Sequence, residues 1–323
     1  MNTKDSSYLD FKGQAMNILD YLNENYPVRK SESEKEGFRT YVTETLAKQG
    51  IEAHVEKTSD GKNNNIVIGD PCEAEVIYTA HYDTPASSPM PNVMMPLNRV
   101  LYFAYQFVPV ILLLAFSLGL SYLIGMVILN DFYAYFALFM ILYYGSFFVL
   151  FKGFKNPHNH NDNTSGVAVV LSIIEKLSDD ERKRCAFILF DNEEKGKKGS
   201  AAYFKDHKEK LKQRLLINFD CVGDGKNIVF IAQKGARDSA RYSLLKQVFG
   251  SDDGYDLIFT DSKHGDSNSD HKNFPCGIAC VACNKTRGGI LYTSRIHTPR
   301  DTFASAENIE FLSRNISEFT KKL

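Results

Sequence analysis

Apolar and polar positions follow two rhythms along the chain, and one long block obeys neither. Residues 8–25 (YLDFKGQAMNILDYLNEN) place apolar side chains at the spacing of an amphipathic helix that stops near Pro27. Residues 31–48 predict a second helix, with a serine cap signal at its start and Gly50 beyond its end. Runs at 51–57, 65–70 and 75–81 read as strands. Further on, 164–177 predicts a helix capped by Asn163 or Thr164, and CAFILF (185–190) is an unbroken apolar strand of the kind buried on both faces. Helices are expected over 201–211, 237–249 and 305–320, and strands over 215–220, 227–232, 257–260 and 277–283. Helices and strands that alternate in this way predict a doubly wound α/β sheet. There is no internal repeat.

The exceptional block spans 98–151. Residues 100–128 and 132–151 hold no Asp, Glu, Lys or Arg. About 20 apolar residues cross a hydrocarbon core of about 30 Å, so each stretch is long enough to span. Asn130 and Asp131 mark a turn between them, which predicts a transmembrane helical hairpin. Tyr102, Tyr105, Tyr133, Tyr135, Tyr143 and Tyr144 supply candidates for an interfacial belt. Pro109 is a potential kink, and Gly119 and Gly125 are candidate points of close helix contact. Arg99 precedes the block and Lys152 and Lys155 follow it, while the turn carries only Asp131. The positive-inside rule then places both flanks, and the domain attached to them, in the cytoplasm. The alternative is a hydrophobic lid or dimerisation hairpin buried in protein. The domain organisation expected is a discontinuous soluble domain, 1–97 and 152–323, interrupted by the hairpin at 98–151, with lipid as a partner of residues 100–151 and a homodimer as a further option.

Composition sharpens this picture. The chain has 323 residues, of which 44% are hydrophobic and 24% charged, which excludes a disordered chain. Lys and Arg total 38 against 39 Asp and Glu, a net charge of −1 without the basic excess of a dedicated nucleic-acid binder. The first residues, MNTKDSSYLDFKGQAMN, carry no apolar core of a secretory signal, so export by that route is not expected. Cys72, Cys185, Cys221, Cys276, Cys280 and Cys283 are not spaced as a disulfide framework. Cys280 and Cys283 form a CxxC inside a strand pattern, and reduced, buried thiols are the simpler account of it.

Five short segments gather acids and histidines: AHYDT (80–84), NDNTSG (161–166), DNEEKGKKGS (191–200), NFDCVGDG (218–225) and RIHTPRDT (295–302). Three of them follow predicted strands, at the edge where open α/β sheets bind ligands. Imidazole and carboxylate donors suit zinc, and a carboxylate can bridge two ions about 3.5–4 Å apart. If Glu193 and Glu194 alternate as at a strand end, one faces metal and the other faces water as a general base.

In order, H-x-D, D-N-x-S-G, N-E-E-x-G-x-x-G-S, N-x-D, S-D-H-x-x-F and H-T-x-x-D-T resemble the motifs of metallopeptidase family 28, which includes bacterial leucyl aminopeptidase, aminopeptidase Y and glutamate carboxypeptidase II. The resemblance implies an α/β/α sandwich with a mixed, mostly parallel central sheet, the zinc exopeptidase fold. It implies two Zn2+ ions, with Asp162 bridging both, His81 and Asp220 completing one site, and Glu194 and His297 the other. It implies Glu193 as general acid/base, and Asp83 as the group that hydrogen-bonds the His81 imidazole. The activity it implies is hydrolysis of a peptide substrate, with an aminopeptidase as the first reading. A single-zinc glutaminyl-cyclase-like acyltransferase and a non-catalytic receptor or scaffold are the alternatives. Lys197 stands where the family has an apolar residue, and Lys195, Lys197 and Lys198 form a basic cluster that faces either lipid or solvent. His158, His160, His264 and His271 are left without a role, and Ser269 and Asp270 are assigned to the pocket wall.

Overall fold

In the computed structural model, residues 15–88, 92–250 and 254–323 are described. Two helices open the fold, α1 (Ala15–Asn25) and α2 (Glu32–Lys48). Residues 8–14 of the first expected helix lie outside the described residues. Ser31 starts α2 with a capping box, its hydroxyl accepting from the Glu34 amide while the Glu34 carboxylate accepts from the Ser31 amide. Strands β1 (Ala53–Lys57), β2 (Asn64–Ile68) and β3 (Val76–His81) follow, then the two-residue β4 (Ala86–Ser87). Helices α3 (Arg99–Ser121) and α4 (Phe132–Lys152) and the two-residue β5 (Phe154–Lys155) make the insertion. The remainder is α5 (Gly166–Lys176), α6 (Asp179–Arg182), β6 (Cys185–Phe190), α7 (Lys198–Asp206), α8 (Lys208–Leu211), β7 (Leu215–Phe219), β8 (Asn227–Ala232), α9 (Lys234–Arg237), α10 (Ala240–Val248), β9 (Asp256–Asp261), β10 (Gly277–Lys285), β11 (Leu291–Tyr292) and α11 (Ala306–Lys321).

The main sheet has the order β1-β2-β6-β3-β7-β10-β8-β9, with β11 paired to β10. Its centre, β6-β3-β7-β10, is parallel. On the flanks, β2 and β8 run antiparallel to that centre. β3, β6 and β7 are buried along their whole length, which matches their unbroken apolar runs. One face packs Tyr78, Phe187, Ile217 and Ile278 against α5, α11, α1 and α2. The other packs Ile77, Ile188 and Leu216 against Tyr203, Leu211 and Phe274, and Val229, Ile231 and Val281 against Met94, Leu291 and Ile296. The result is an α/β sandwich with a mixed, mostly parallel sheet. Strand alternation also settles the CxxC: Cys280 lies in the first face's core and Cys283 in the second's, so the two thiols point apart and share no ligand.

Lys35 of α2 is buried and donates to Asp191 at 2.6 Å and to Asn192 Oδ1 at 3.0 Å, just past β6. Burial raises the Asp191 carboxyl, and Lys35 opposes that rise. Removing the amine strands a fully buried carboxylate. Lys35→Met is expected to cost about 3–5 kcal/mol, read by denaturant unfolding of the full chain.

The insertion is inside-out relative to this domain. α3 continues through a π-helical stretch, Tyr122–Ile128, and the turn at Leu129–Asp131 reverses the chain into α4, capped by the Asp131 carboxylate. Apart from Val55, Phe154 and Phe303, every exposed large hydrophobic side chain among the described residues lies between Val100 and Phe148. The buried residues of α3 and its extension are small: Ser117, Ser121 and Gly125, spaced four apart. A Cβ on Gly125 would sit 2.3 Å from the Tyr135 backbone, so only glycine permits this helix contact. Gly119 has nothing within 4 Å of a Cβ and plays no such part, a correction to the expectation for it. One helix, Arg99–Ile128, is long and apolar enough to cross a membrane, while the second apolar stretch, Phe132–Phe148, is shorter.

Candidate metal centre

Three neighbouring parallel strands, β6, β3 and β7, end on one edge of the sheet; β3 ends on His81, and the segments after β6 and β7 deliver Glu193 and Glu194, and Asp220. Asp162 and His297 do not come from strand ends. Asp162 sits in a tight non-helical turn before α5, with a cis peptide to Asn163, and His297 in a loop after β11. The turn is stitched to the segment after β7. Asn163 Nδ2 donates to Phe219 O at 2.9 Å, and its Oδ1 accepts from the Gly166 and Cys221 amides at 3.0 and 3.3 Å. Asn161 Oδ1 accepts from the Gly223 amide at 2.7 Å. A Cβ at Gly166 would meet Phe219 O at 2.3 Å, which explains the glycine of D-N-x-S-G. These bonds set Asp162 beside Asp220 across 58 residues of sequence.

The five expected ligands converge. His81, Asp162 and Asp220 form one buried donor group, Asp162, Glu194 and His297 a second, half-buried one, and His81, Glu193 and Glu194 a third, each with its donor atoms within 4.8 Å of one another. Asp162 belongs to the first two. Its Oδ1 lies 3.3 Å from His81 Nε2 and its Oδ2 2.9 Å from His297 Nε2. His81 Nε2 is 3.8 Å from Asp220 Oδ1, and His297 Nε2 is 3.4 Å from Glu194 Oε2.

Glu193 and Glu194 do not follow strand alternation. They occupy a turn entered through Asn192 at φ 54° and closed by the Gly196 and Lys197 amides donating to Glu193 O. Asp83 holds that turn: its carboxylate accepts from the Glu193 amide at 2.9 Å and the Glu194 amide at 3.2 Å. The His81 ring contacts Asp83 through the main chain, Nδ1 lying 3.0 Å from Asp83 O, with the carboxylate 3.6 Å away. The carboxylate assigned to histidine in the sequence therefore orients the paired glutamates, because those amides face it more closely. Lys197 stands just before α7 at φ 58° and its Nζ donates to Asn268, which ties it to a neighbouring loop. His160 stands outside the cluster, half-buried, with its amide donating to Asp301 O.

Three supporting groups surround the ligands; two of them, Asp301 and Asp270, stand in the quoted motifs, and only Arg29 carries no signal in the sequence. Asp301, the aspartate of H-T-x-x-D, accepts the Asn161 amide at 2.9 Å and the Asp162 amide at 3.0 Å, and so fixes the shared ligand. Arg29 is fully buried and donates to Tyr82 O, Tyr26 O and Thr164 Oγ1. Burial lowers its guanidinium to about 10 while Asp83 and Asp162 work against that fall. Asp270 is buried, accepts from the Ser200 hydroxyl, and has its other oxygen without a partner among the described residues. Burial raises it to about 7. His271, next to Asp270 in the same short helical turn (Asp270–Asn273), is buried and lowered to about 4 by desolvation.

The chemistry of the donors fits a cation. Two imidazoles face three carboxylates, with His81, Asp162 and Asp220 buried and Glu194 and His297 half-buried, and Glu194 Oε1 has no hydrogen-bond partner among the described residues. Burial lifts Glu194 to about 8 despite His297, and drives Glu193 well above the usual range. Burial works against the His297 proton, yet Glu194 and Asp162 raise its pKa to about 9. Burial also works against the Asp162 charge, yet the two histidines hold its carboxyl well below its ordinary value. Without a cation the cluster keeps protons at neutral pH. Metal binding is therefore expected to release them, and apparent zinc affinity to rise about tenfold per pH unit for each displaced proton between pH 6 and 8. Calorimetry in buffers of different ionisation enthalpy reads this directly, and a flat affinity across that range contradicts it.

The model of peptidase family M28 matches residues 155–320, which hold Asp162, Glu193, Glu194, Asp220, Asp270 and His297. The chain belongs to peptidase family M28. The family is one of zinc-dependent peptidases, and this chain's sheet and candidate donor cluster agree with that membership. His81 and Asp83 lie outside the matched segment and are joined to it only by the fold. No curated protein matches the chain. Among solved structures, the Legionella pneumophila LapA aminopeptidase is similar at 14% identity and a TM-score of 0.57, over 96% of this chain and 70% of that one. The Porphyromonas gingivalis glutaminyl cyclase is similar at 16% identity and a TM-score of 0.59, over 96% and 97%. A Zn-dependent exopeptidase from Parabacteroides distasonis is similar at 13% identity and a TM-score of 0.53, over 95% and 96%. At these identities the likeness speaks to the zinc exopeptidase fold.

Proposed function

We propose that this M28 chain is a membrane-anchored exopeptidase that uses two zinc ions and removes amino-terminal residues from peptides. The observation that carries the reading is the pair of donor groups sharing Asp162. His81 and Asp220 complete one position, and Glu194 and His297 the other. The chemistry zinc supplies in such a site is Lewis acidity toward a carbonyl and a lower pKa for water. Glu193 is the general base: it takes the attacking water's proton and passes it to the leaving amine. Asp83 orients Glu193 and Glu194 through their amides, and Asp301 orients Asp162.

The membrane reading rests on the apolar outer surface of the hairpin and the small residues, Ser117, Ser121 and Gly125, between its helices. Without a hydrophobic force between helices in lipid, small residues at the contact allow close backbone packing. Arg99, Lys152 and Lys155 at the flanks favour a catalytic domain on the cytoplasmic side.

Elemental analysis of the detergent-purified chain tests the metal count, and turnover of aminoacyl and short-peptide substrates with and without chelator tests the reaction. Two ions and chelator-sensitive release of amino-terminal residues are expected. One firmly bound ion, with cyclisation of amino-terminal glutamine, replaces this reading with the single-zinc acyltransferase.

A further inference from the structure

We infer that the rim of the candidate site formed by the His297 loop rests on the bilayer surface, and that the site's substrates are peptides embedded in or tethered to that bilayer with a free amino terminus. This rests on the peptidase and membrane readings above and names their substrate class.

The chain flanking the insertion on either side is bonded to that rim, while Arg99 at the start of α3 donates to Ser262 O and Gly265 O on another loop. Ala86 and Ser87 pair with Lys155 and Phe154 in a two-stranded neck. One residue further, the Ser88 amide donates to His297 O at 2.7 Å. On the return, Asn156 Nδ2 donates to Thr298 O at 3.1 Å, and the His160 amide to Asp301 O at 3.2 Å. The neck and the His297 loop are therefore one hydrogen-bonded unit. A hairpin seated in lipid carries this loop to the headgroups with it.

The surface of the rim has matching chemistry. Of the three large hydrophobic side chains exposed outside the hairpin among the described residues, two are here: Phe154 at 79% and Phe303 at 49% exposure. Phe154 belongs to the neck and Phe303 lies two residues past Asp301. Arg300 is exposed on the same loop, and Lys155, paired with Glu34, on the neck. Exposed aromatic rings beside basic side chains are the composition of a headgroup contact, where rings enter the apolar boundary and cations meet phosphate. A site mouth on that surface favours substrates confined to the same bilayer, whose effective concentration there far exceeds their bulk value.

The test uses the full chain in lipid vesicles and one peptide in two forms, soluble or joined at its carboxyl end to a lipid chain. The tethered form in the enzyme's own vesicles is expected to show a kcat/KM about tenfold or more above the soluble form. That advantage is expected to vanish when enzyme and tethered peptide sit on separate vesicles. Phe303→Ser is expected to leave soluble turnover unchanged and to shrink the advantage severalfold. Equal turnover of the two forms, or an equal loss of both with Phe303→Ser, overturns the inference while leaving the peptidase and membrane readings standing. Failure of the chain to float with vesicles overturns the membrane reading and the inference together, and failure to cleave either form overturns the peptidase reading.

Discussion

Replacing Glu193 by Gln is expected to leave zinc in place and to lower kcat for peptide hydrolysis by about 10²–10⁴-fold. Glu193 lies outside the two donor groups that share Asp162, and the third group that holds it draws its other donors, His81 and Glu194, from those two, so their ligands survive the change. Gln keeps the side chain's size and its backbone bonds, since the Glu193 amide is still held by Asp83 and the turn is still closed on Glu193 O. What Gln lacks is a basic oxygen. Burial already drives the Glu193 carboxyl well above its ordinary range, with Asp270, Glu194 and Asp220 adding to the rise and His81 countering it. A base poised in that way both accepts a proton from water and gives it up to a leaving amine. The measurement pairs steady-state kinetics with elemental analysis of the same preparation. Unchanged turnover removes Glu193 from this role, and loss of zinc in step with activity makes it a ligand instead of a base.

Replacing Asp162 by Ala is expected to bring zinc below one ion per chain and to reduce kcat/KM by at least about a thousandfold, about 4 kcal/mol of barrier. No other residue belongs to both groups that could complete a bridged pair, because Asp162 alone contacts His81 with one oxygen and His297 with the other. Fold stability is the control. The substitution removes a buried carboxylate set among Asp220, Glu194 and Asp301, so it relieves like-charge repulsion while taking one carboxylate from each histidine, His81 keeping Asp220 and His297 keeping Glu194. An unfolding midpoint close to the parent's, with zinc lost, assigns the effect to the metal centre. Retention of both ions in this variant contradicts the bridging role.

The metal centre was more legible in the sequence than its supports. Ligand types announce themselves, since histidines and acids beside glycine, serine and asparagine turns have few other uses in such a cluster. Asp301 stood in H-T-x-x-D-T without a role, and Arg29 gave no sign at all. An arginine between Pro27 and Ser31 reads as a surface residue, and only the fold buries it against Tyr82 O and Thr164. Asp83 was marked by its place in H-x-D, yet which of its atoms meets which partner depended on how the Glu193 turn folds over β3. The helix-packing glycine was likewise a matter of phase. Gly119 and Gly125 look alike in the sequence, and the π-helical stretch after Ser121 helps decide which of them faces α4.

By itself the sequence determined the local and the chemical: where apolar periodicity makes strands and helices, where an uncharged block breaks the domain, and which side chains can hold a metal. Those properties depend on short spans of chain. Tertiary structure alone decided which of these groups meet. The parallel order β6-β3-β7 brings His81, Glu194 and Asp220 to one edge, and the turn before α5 and the loop after β11 add Asp162 and His297. It also decided that the neck of the insertion is bonded to the His297 loop. Contacts between residues tens to hundreds of positions apart form because burying both faces of one sheet fixes the strand order, and no local pattern encodes that order.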